Sequence, residues 1–514
     1  MNAALANEGR VAHRLILLFL FVAGGVVRLI CLACKPFWFD ECFSAEIARI
    51  GWGNFLHLLW WREANMSLYY LLLRVWLSFD LRAGHSEFFI RSLSVLISAS
   101  TLPAIYWLAR ALYDRRVAFI AAALFAFNAY SVRYAQEARS YSLFVLLATL
   151  SSGFLIRWLR EPVRSRRTGY VLASILAVYA HFYAILLVAA HWVALRWLGR
   201  PDQAVNKTDE FSAQSRRAFR TIGLAVLPLL IFVAKTGAGP IKWIHRPSLH
   251  DIFEFAEHLA GSDHWPLAVI YAMACFAALA PFGKRLLARD QDWETWRCEF
   301  LLVWLLFPVV LTILLSFARP VFLARYMIFC LPALIILAAA GLARLRQTWL
   351  LAAALSGMLL FSGGGVWFVY GHDFDKERDE SKAASNFVLE HTQAGDGIIF
   401  HIAETRVPYE FFRSERAGVN TASADFTSSL GPEILFPHNS PGFGYRDFTG
   451  KPTPELLRSA ALSHARLWVM LMNNGPPGTP DPTTVMLTRV LAESFPRVQR
   501  WQFARVEVRL YRKE

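Results

Sequence analysis

Charge is scarce in this chain. Asp, Glu, Lys and Arg make up 18% of its 514 residues, against 56% hydrophobic and 14% aromatic residues. Cysteine is rarer still, with six residues. Cys31 and Cys34 form a C-x-x-C, but no second pair at zinc-finger spacing accompanies it. No repeat or low-complexity tract stands out. The shortage of charge rules out a water-facing surface over most of the chain. The lone C-x-x-C, at the end of an apolar run, reads as buried small hydrophobes, with a Cys34–Cys42 disulfide as the alternative on an oxidising face.

What is present is a series of apolar runs of about 17 to 25 residues, long enough to cross a hydrocarbon core of roughly 30 Å as helices. Eleven spans are expected, at 14–34, 88–109, 117–132, 141–159, 168–182, 184–199, 219–235, 265–282, 299–317, 327–342 and 348–370. The first lacks a small-x-small cleavage site and reads as a retained anchor. The net charge of +14 does not point to nucleic acid. Its arginines gather in short connections, such as Arg157, Arg160, Arg164, Arg166 and Arg167, and basic loops stay in the cytoplasm. The N-terminus is therefore expected inside. Segments 35–87, 131–140, 181–183, 236–264 and 319–326, and the tail from 371, are expected on the opposite face.

The expected fold is an α-helical polytopic membrane protein, residues 1–370, with a small extracytoplasmic α/β domain, residues 371–514. In the first outer loop, 35–87, segments 41–61 and 68–79 carry aromatics and leucines at helical spacing, as interfacial helices do. In the tail, strands are expected at 398–402 and 466–473, a helix at 484–494, and alternating strands in "RVQRWQFARVEVRLYRK".

Ionisable groups at membrane depth cost several kcal/mol unless paired or wetted, which marks them as candidate functional groups. On the outer face "CKPFWFDECFSAEIAR" holds Asp40 and Glu41 among aromatics. Neighbours on a helix point about 100° apart. One carboxylate is then free to face a cavity while the other pairs with Arg49 or caps a helix, and capping alone is the plain alternative. In "SVRYAQEARSYSL" a helix would pair Arg133 with Glu137. Arg139 cannot share that face, and its planar fork suits phosphate oxygens, unless it snorkels to lipid headgroups. His181 and Tyr183 mark a short outer turn as ligand contacts or belt residues. Arg319 and Arg325 bracket a span start, and Lys242 adds a cation in "KWIHRPSL". The histidines and aspartates between 245 and 264 do not match a defined zinc or iron site and read as a solvated loop.

One carboxylate and several cations at an outer membrane surface suit sugar transfer from a phosphate. A glycosidase needs an acid to protonate its leaving oxygen. A phosphate is already a weak base, so fixed positive charge suffices to receive it, and one general base suffices for the acceptor hydroxyl.

The stretches "FWFDECFSAEIAR", "EANMSLYYLLLRVW", "EFFIRSLSVL", "YAQEARSYSL", "YAHFYAILL", "KWIHRPSL" and "RPVFLARYMIFCLPAL" stand in an order that resembles bacterial GT-C superfamily glycosyltransferases. The nearest likeness is to the branch related to protein O-mannosyltransferases and aminoarabinose lipid A transferases. It covers most of residues 14–345 and the look of the tail. The resemblance implies an acidic first outer loop that supplies the base, interfacial helices there, and a polyprenyl-phosphate sugar donor. Carried over, Asp40 is the base with Glu41 beside it. Arg139, Arg325 and Lys242 meet the donor phosphate, and Tyr134, Gln136, Glu137, His181 and Tyr183 shape the pocket. Many relatives carry a double proline where this chain has Met66-Ser67, which alters the loop geometry expected there. The sequence points to no particular cofactor, and a divalent metal is compatible with the chemistry. The acceptor would be a lipid, glycan or protein at the outer face of a bacterial inner membrane. A lipid-linked sugar transporter or flippase and a non-catalytic assembly subunit are the rival readings.

Overall fold

The computed structural model describes residues 2–80, 86–198, 208–237, 244–283, 285, 292–372, 378–417, 430–438, 450–472 and 480–514. Each expected span falls on a helix. Seven of these are long and apolar enough to cross a membrane: Glu87–Leu112, Tyr141–Arg160, Glu210–Thr236, Trp265–Phe282, Trp293–Ala318, Ala324–Leu342 and Thr348–Gly371. The pair Arg115–Phe127 and Ala129–Ala135, bent by 57°, makes an eighth if it is one span. Asn2–Leu29, Arg164–Ala180 and Ala184–Trp197 carry the remaining three expected spans. Large apolar side chains such as Phe19, Leu224, Phe276, Leu314 and Trp367 are exposed, as a lipid-facing surface requires. This is a multi-pass membrane protein.

Two compact units result. One comprises Met1–Cys34, Ala64–Tyr69 and Arg91–Phe374, and the other Lys35–Glu63, Tyr70–Ile90 and Asp375–Glu514.

In the helical unit, the bend at Asn128 has an identifiable cause. The Asn128 side chain accepts from Ser131 N at 2.9 Å and donates to Leu259 O at 3.1 Å, so it caps a new helix rather than continuing the old one. Gly261, at φ +95°, lies against this corner, and a Cβ there would stand 2.7 Å from Asn128 Nδ2. The break strips the last carbonyls of Arg115–Phe127 of helical partners. Arg28, fully buried, fills in there: Nη1 donates to Ala126 O at 2.8 Å, and Nη2 to Phe125 O at 3.2 Å, which also accepts from Asn128 N at 3.4 Å. Gly341 marks another close approach, since a Cβ would lie 1.8 Å from Ala274 O, and small residues let membrane helices meet.

The first helix ends in a turn, with Cys31 at φ +58°, and a Cys31–Cys34 disulfide closes it at a Cα–Cα distance of 4.8 Å. This corrects the expectation that both are small buried hydrophobes. Cys42 is free and buried, so the alternative Cys34–Cys42 pairing is also excluded. Positive φ at Cys31 folds the chain back within bridging distance, which spacing alone did not reveal. Met66 stands at φ +67°, a region closed to proline. The loop here is thus locally unlike one carrying a double proline.

The second unit contains most of the segment 35–87 and the tail. The expected segment 41–61 is two helices, Phe39–Arg49 and Trp52–Trp61, parted at Ile50–Gly51. Trp52–Trp61 buries Phe55 and Leu58 while Trp52, Leu56, Trp60 and Trp61 stay exposed, an apolar surface on both sides that suits an interface.

The tail forms a five-stranded sheet from β1 (Gly397–His401), β2 (Glu433–Phe436), β3 (Arg466–Met472), β4 (Arg497–Phe503) and β5 (Val506–Arg512), ordered β2-β1-β3-β5-β4. Strands β2, β1 and β3 run parallel, and β5 is antiparallel to β3 and β4. Ile399, Leu467, Val469 and Leu471 pack on one face with Leu457 and Leu487 of helices Pro454–Ser463 and Pro482–Ala492. On the other, Ile398, Phe400, Trp468 and Met470 pack with Ala384, Val388 and Tyr409 of helices Ser381–His391 and Arg406–Ala417. Burial of both faces explains why β1 and β3 read as near-continuous apolar runs. The strand β2, only four residues long, escaped the sequence pattern.

Candidate active site

In the helical unit, the helix Ala129–Ala135 sets out "SVRYAQEARSYSL". Arg133 pairs with Glu137 at the expected i, i+4 spacing, both side chains buried, and the Arg133 guanidinium lies over the Tyr134 ring at 4.3 Å. The Tyr134 ring packs between those of Tyr130 and Tyr141, at 4.9 and 4.7 Å. Gln136 ends this helix and donates through Nε2 to Arg28 O at 3.1 Å and Ile30 O at 2.6 Å. It ties down the end of the first helix. A tight turn follows, with Arg139 N donating to Glu137 O at 2.8 Å. Ser94 Oγ donates to Arg139 O at 3.4 Å, and it shares a hydrogen bond with Tyr69 Oη at 2.8 Å.

Arg139 and Arg325 come from distant parts of the sequence, and both charges act on the His181 ring and on Tyr141. His181 is buried within a set of aromatic rings: Phe144 stacks on it at 5.0 Å, Tyr326 meets it edge-on at 4.8 Å, and Tyr183 lies at 5.5 Å. Its Nδ1 accepts from Tyr183 N at 3.3 Å. That bond assigns the proton of the neutral ring to Nε2, and Nε2 has no hydrogen-bond partner among the described residues. Tyr183 Oη donates to Val321 O, which holds the segment before Arg325. The structure therefore gathers Arg139, Arg325, His181, Tyr183 and Tyr141. Lys242 lies outside the described residues.

In the second unit, helix Phe39–Arg49 carries Asp40 and Glu41 in its first turn. Asp40 is half-buried and Glu41 fully buried. Glu41 pairs with Arg378 at 3.0 Å, whereas Arg49 pairs with Glu46 at 3.1 Å. The expected Arg49 partnership thus goes one helical turn further on, because Glu46 lies three residues from Arg49 on the same face. Asp379 accepts from Phe39 N at 2.9 Å. Burial pushes the Asp379 carboxyl up, hydrogen bonds from Ser381 and Phe39 oppose this, and the Asp40 charge adds to the rise. Behind them Cys42 is buried, and burial, then Asp379 and Glu41, push its thiol well up. It is an inert packing group, not a nucleophile.

Sequence reasoning missed Arg378 and Asp379, which lie in a charged stretch that reads as a linker. It also missed Arg28, which lies inside an apparently uniform apolar span. Among the histidines between 245 and 264, Ser248 and Asp251 form a capping box, and His258 meets Asp263 at 3.3 Å. Among the described residues no group of three or more His, Cys, Asp or Glu side chains is disposed to hold a metal ion.

No protein-family model matches the sequence, and no curated protein matches it. Solved structures do. ArnT from Cupriavidus metallidurans in the apo state is 12% identical, with 98% of both chains covered and a TM-score of 0.57. The same protein bound to undecaprenyl phosphate is 13% identical, with 96% of this chain and 97% of that chain covered and a TM-score of 0.53. The oligosaccharyltransferase AglB from Archaeoglobus fulgidus, in complex with an inhibitory peptide and a dolichol-phosphate, is 10% identical. There 88% of this chain and 69% of that chain are covered, with a TM-score of 0.52. The chain has the fold shared by these ArnT and oligosaccharyltransferase structures.

Proposed function

We propose that this protein is a membrane glycosyltransferase that moves a sugar from a polyprenyl-phosphate donor to a lipid, glycan or protein acceptor. The observation that carries the reading is that the Arg139 and Arg325 charges, far apart in the sequence, both act on the buried His181 ring, whose Nε2–H has no hydrogen-bond partner among the described residues. Three donors, two of them charged, suit the oxygens of a phosphate. Structures of the same fold bind undecaprenyl phosphate and dolichol-phosphate, which supports the choice of ligand. Lys242 adds a further phosphate contact, and Tyr134 and Tyr183 shape the sugar pocket.

The reaction is a direct displacement. The Asp40 carboxylate takes the proton of the acceptor hydroxyl, whose oxygen attacks the anomeric carbon from the face opposite the phosphate. The bond from that carbon to the phosphate oxygen breaks, and its electron pair leaves on the polyprenyl phosphate. Arg139, Arg325 and His181 stabilise the charge that develops there, and configuration at the sugar inverts. Glu41 supports Asp40 and takes no proton, since its carboxylate is occupied by Arg378.

The Arg-rich connections lie on the cytoplasmic side. The acid pair, the Cys31–Cys34 disulfide and the tail lie on the oxidising outer side of a bacterial inner membrane, where disulfides persist.

The test uses the full chain in lipid nanodiscs with undecaprenyl phosphate and a panel of undecaprenyl-phosphate-linked sugars. Binding of undecaprenyl phosphate, and its release from one of those sugars, are the expected results. A protein that neither binds it nor releases it from any of them overturns the reading.

A further inference from the structure

A base must be aimed, and the helix that carries Asp40 is held at its start from outside itself. Trp38, the N-cap residue of Phe39–Arg49, has no side-chain oxygen and makes no cap bond. Phe39 N, the first amide of the helix, therefore needs an acceptor from elsewhere. Asp379 supplies one, its Oδ2 accepting from Phe39 N at 2.9 Å across 340 residues of chain. Its Oδ1 accepts from Ser381 N at 3.0 Å and from the Ser381 hydroxyl, at the start of helix Ser381–His391. One carboxylate thus joins the beginnings of two helices. The preceding residue, Arg378, pairs with the fully buried Glu41 at 3.0 Å. Three residues beyond Asp379, Lys382 pairs with Glu87 at 2.8 Å and Glu415 at 3.3 Å.

The residues on either side of Asp40 are therefore both tied to the C-terminal segment, Phe39 through its amide and Glu41 through its carboxylate. Two such ties fix the rotation of the helix about its axis, and with it the direction in which Asp40 points. We infer that Arg378 and Asp379 form a positioning clamp for Asp40, which makes the C-terminal α/β domain a working part of the transfer centre. The inference rests on the reading of Asp40 as the base. It explains why a buried Glu41 stands beside the base: the ion pair with Arg378 has a fixed direction that an apolar contact lacks, and breaking it would leave a buried charge uncompensated.

The test compares full-length Asp379→Ala, Asp379→Asn, Arg378→Gln and Arg378→Lys, with Asp40→Asn as reference, on an undecaprenyl-phosphate-linked sugar that the unaltered protein turns over. Misplacement by about 1 Å costs on the order of 100-fold in rate. Asp379→Ala and Arg378→Gln are expected to lower kcat about 10- to 100-fold, with KM for the donor within about 2-fold. Asp379→Asn keeps an amide oxygen for Phe39 N, and Arg378→Lys keeps the charge. Both are expected to recover most of the loss. Wild-type kcat in Asp379→Ala and Arg378→Gln, or a rise in KM alone, overturns the clamp. If Asp379→Ala does not give a folded protein, the Arg378 pair decides by the same criteria. A fully active Asp40→Asn removes the base assignment, and the clamp with it. An inactive Asp40→Asn beside fully active clamp variants removes the clamp alone.

Discussion

Arg28 Nη2 donates to Ser131 Oγ at 2.9 Å, joining the first helix to the far side of the Asn128 break. The same guanidinium reaches Ser98 Oγ, Gly24 O, Ala126 O and Phe125 O at 2.8 to 3.2 Å. A bent helix and a buried cation are each costly in a bilayer, and here each satisfies the other. The break also lets residues 129–140 leave the line of Arg115–Phe127, so that Arg133, Glu137 and Arg139 follow it directly in sequence.

Arg28→Met is accordingly expected to destabilise the protein by about 2 to 4 kcal/mol, because it strands several buried acceptors at once. The unfolding midpoint in detergent measures this. An unchanged midpoint would show that water replaces the guanidinium at no cost.

At the proposed transfer site the two halves of the chemistry separate by substitution. Asp40→Asn removes the base and is expected to cost about 100- to 10,000-fold in kcat, with undecaprenyl phosphate bound as before. Arg139→Ala and Arg325→Ala are expected to weaken that binding about 10-fold each, and His181→Phe, which keeps the ring but not Nε2–H, somewhat less. Equilibrium binding in nanodiscs distinguishes them. Tight binding by Arg139→Ala would rule out the phosphate role.

The sequence made some of this legible and not the rest. Arg133 and Glu137 were readable because an i, i+4 pair needs only local helix. The spans and strands β1, β3, β4 and β5 were readable from apolar length and alternation. Gln136 was expected to shape the pocket, and the bonds its Nε2 donates to Arg28 O and Ile30 O could not be foreseen. A side chain's partner 108 residues away leaves no local pattern. The same holds for Asp379 capping Phe39 from a stretch whose composition is that of a linker. Long-range hydrogen bonds are chosen by tertiary structure, which periodicity does not encode.

The cysteines give a check that does not depend on activity. Tryptic peptides analysed without reduction are expected to show Cys31 joined to Cys34. Cys42, Cys298 and Cys330, all buried, are expected to react with maleimide only after denaturation. After mild reduction of spheroplasts, a membrane-impermeant maleimide should label Cys34, which is exposed. Labelling only after the membrane is permeabilised would invert the proposed orientation.

Met66 provides the sharpest test of the segment 35–87. It is buried and sits at φ +67°, where a non-glycine residue costs roughly 1 to 2 kcal/mol. Its neighbour Asn65 accepts from Phe182 N at 3.0 Å, and Ser67 Oγ donates to Tyr179 O at 3.3 Å. Those two bonds pin residues 65 and 67 beside the His181 turn and oblige the chain to reverse at Met66. Met66→Pro cannot adopt that φ. It is expected to break both bonds, lower the unfolding midpoint, and weaken undecaprenyl phosphate binding through loss of the His181 turn. Met66→Leu keeps an apolar side chain of similar volume and should leave binding within about 2-fold. A proline variant that binds as the unaltered protein does would mean that the chain reverses here without the positive φ of Met66, at no cost to the site.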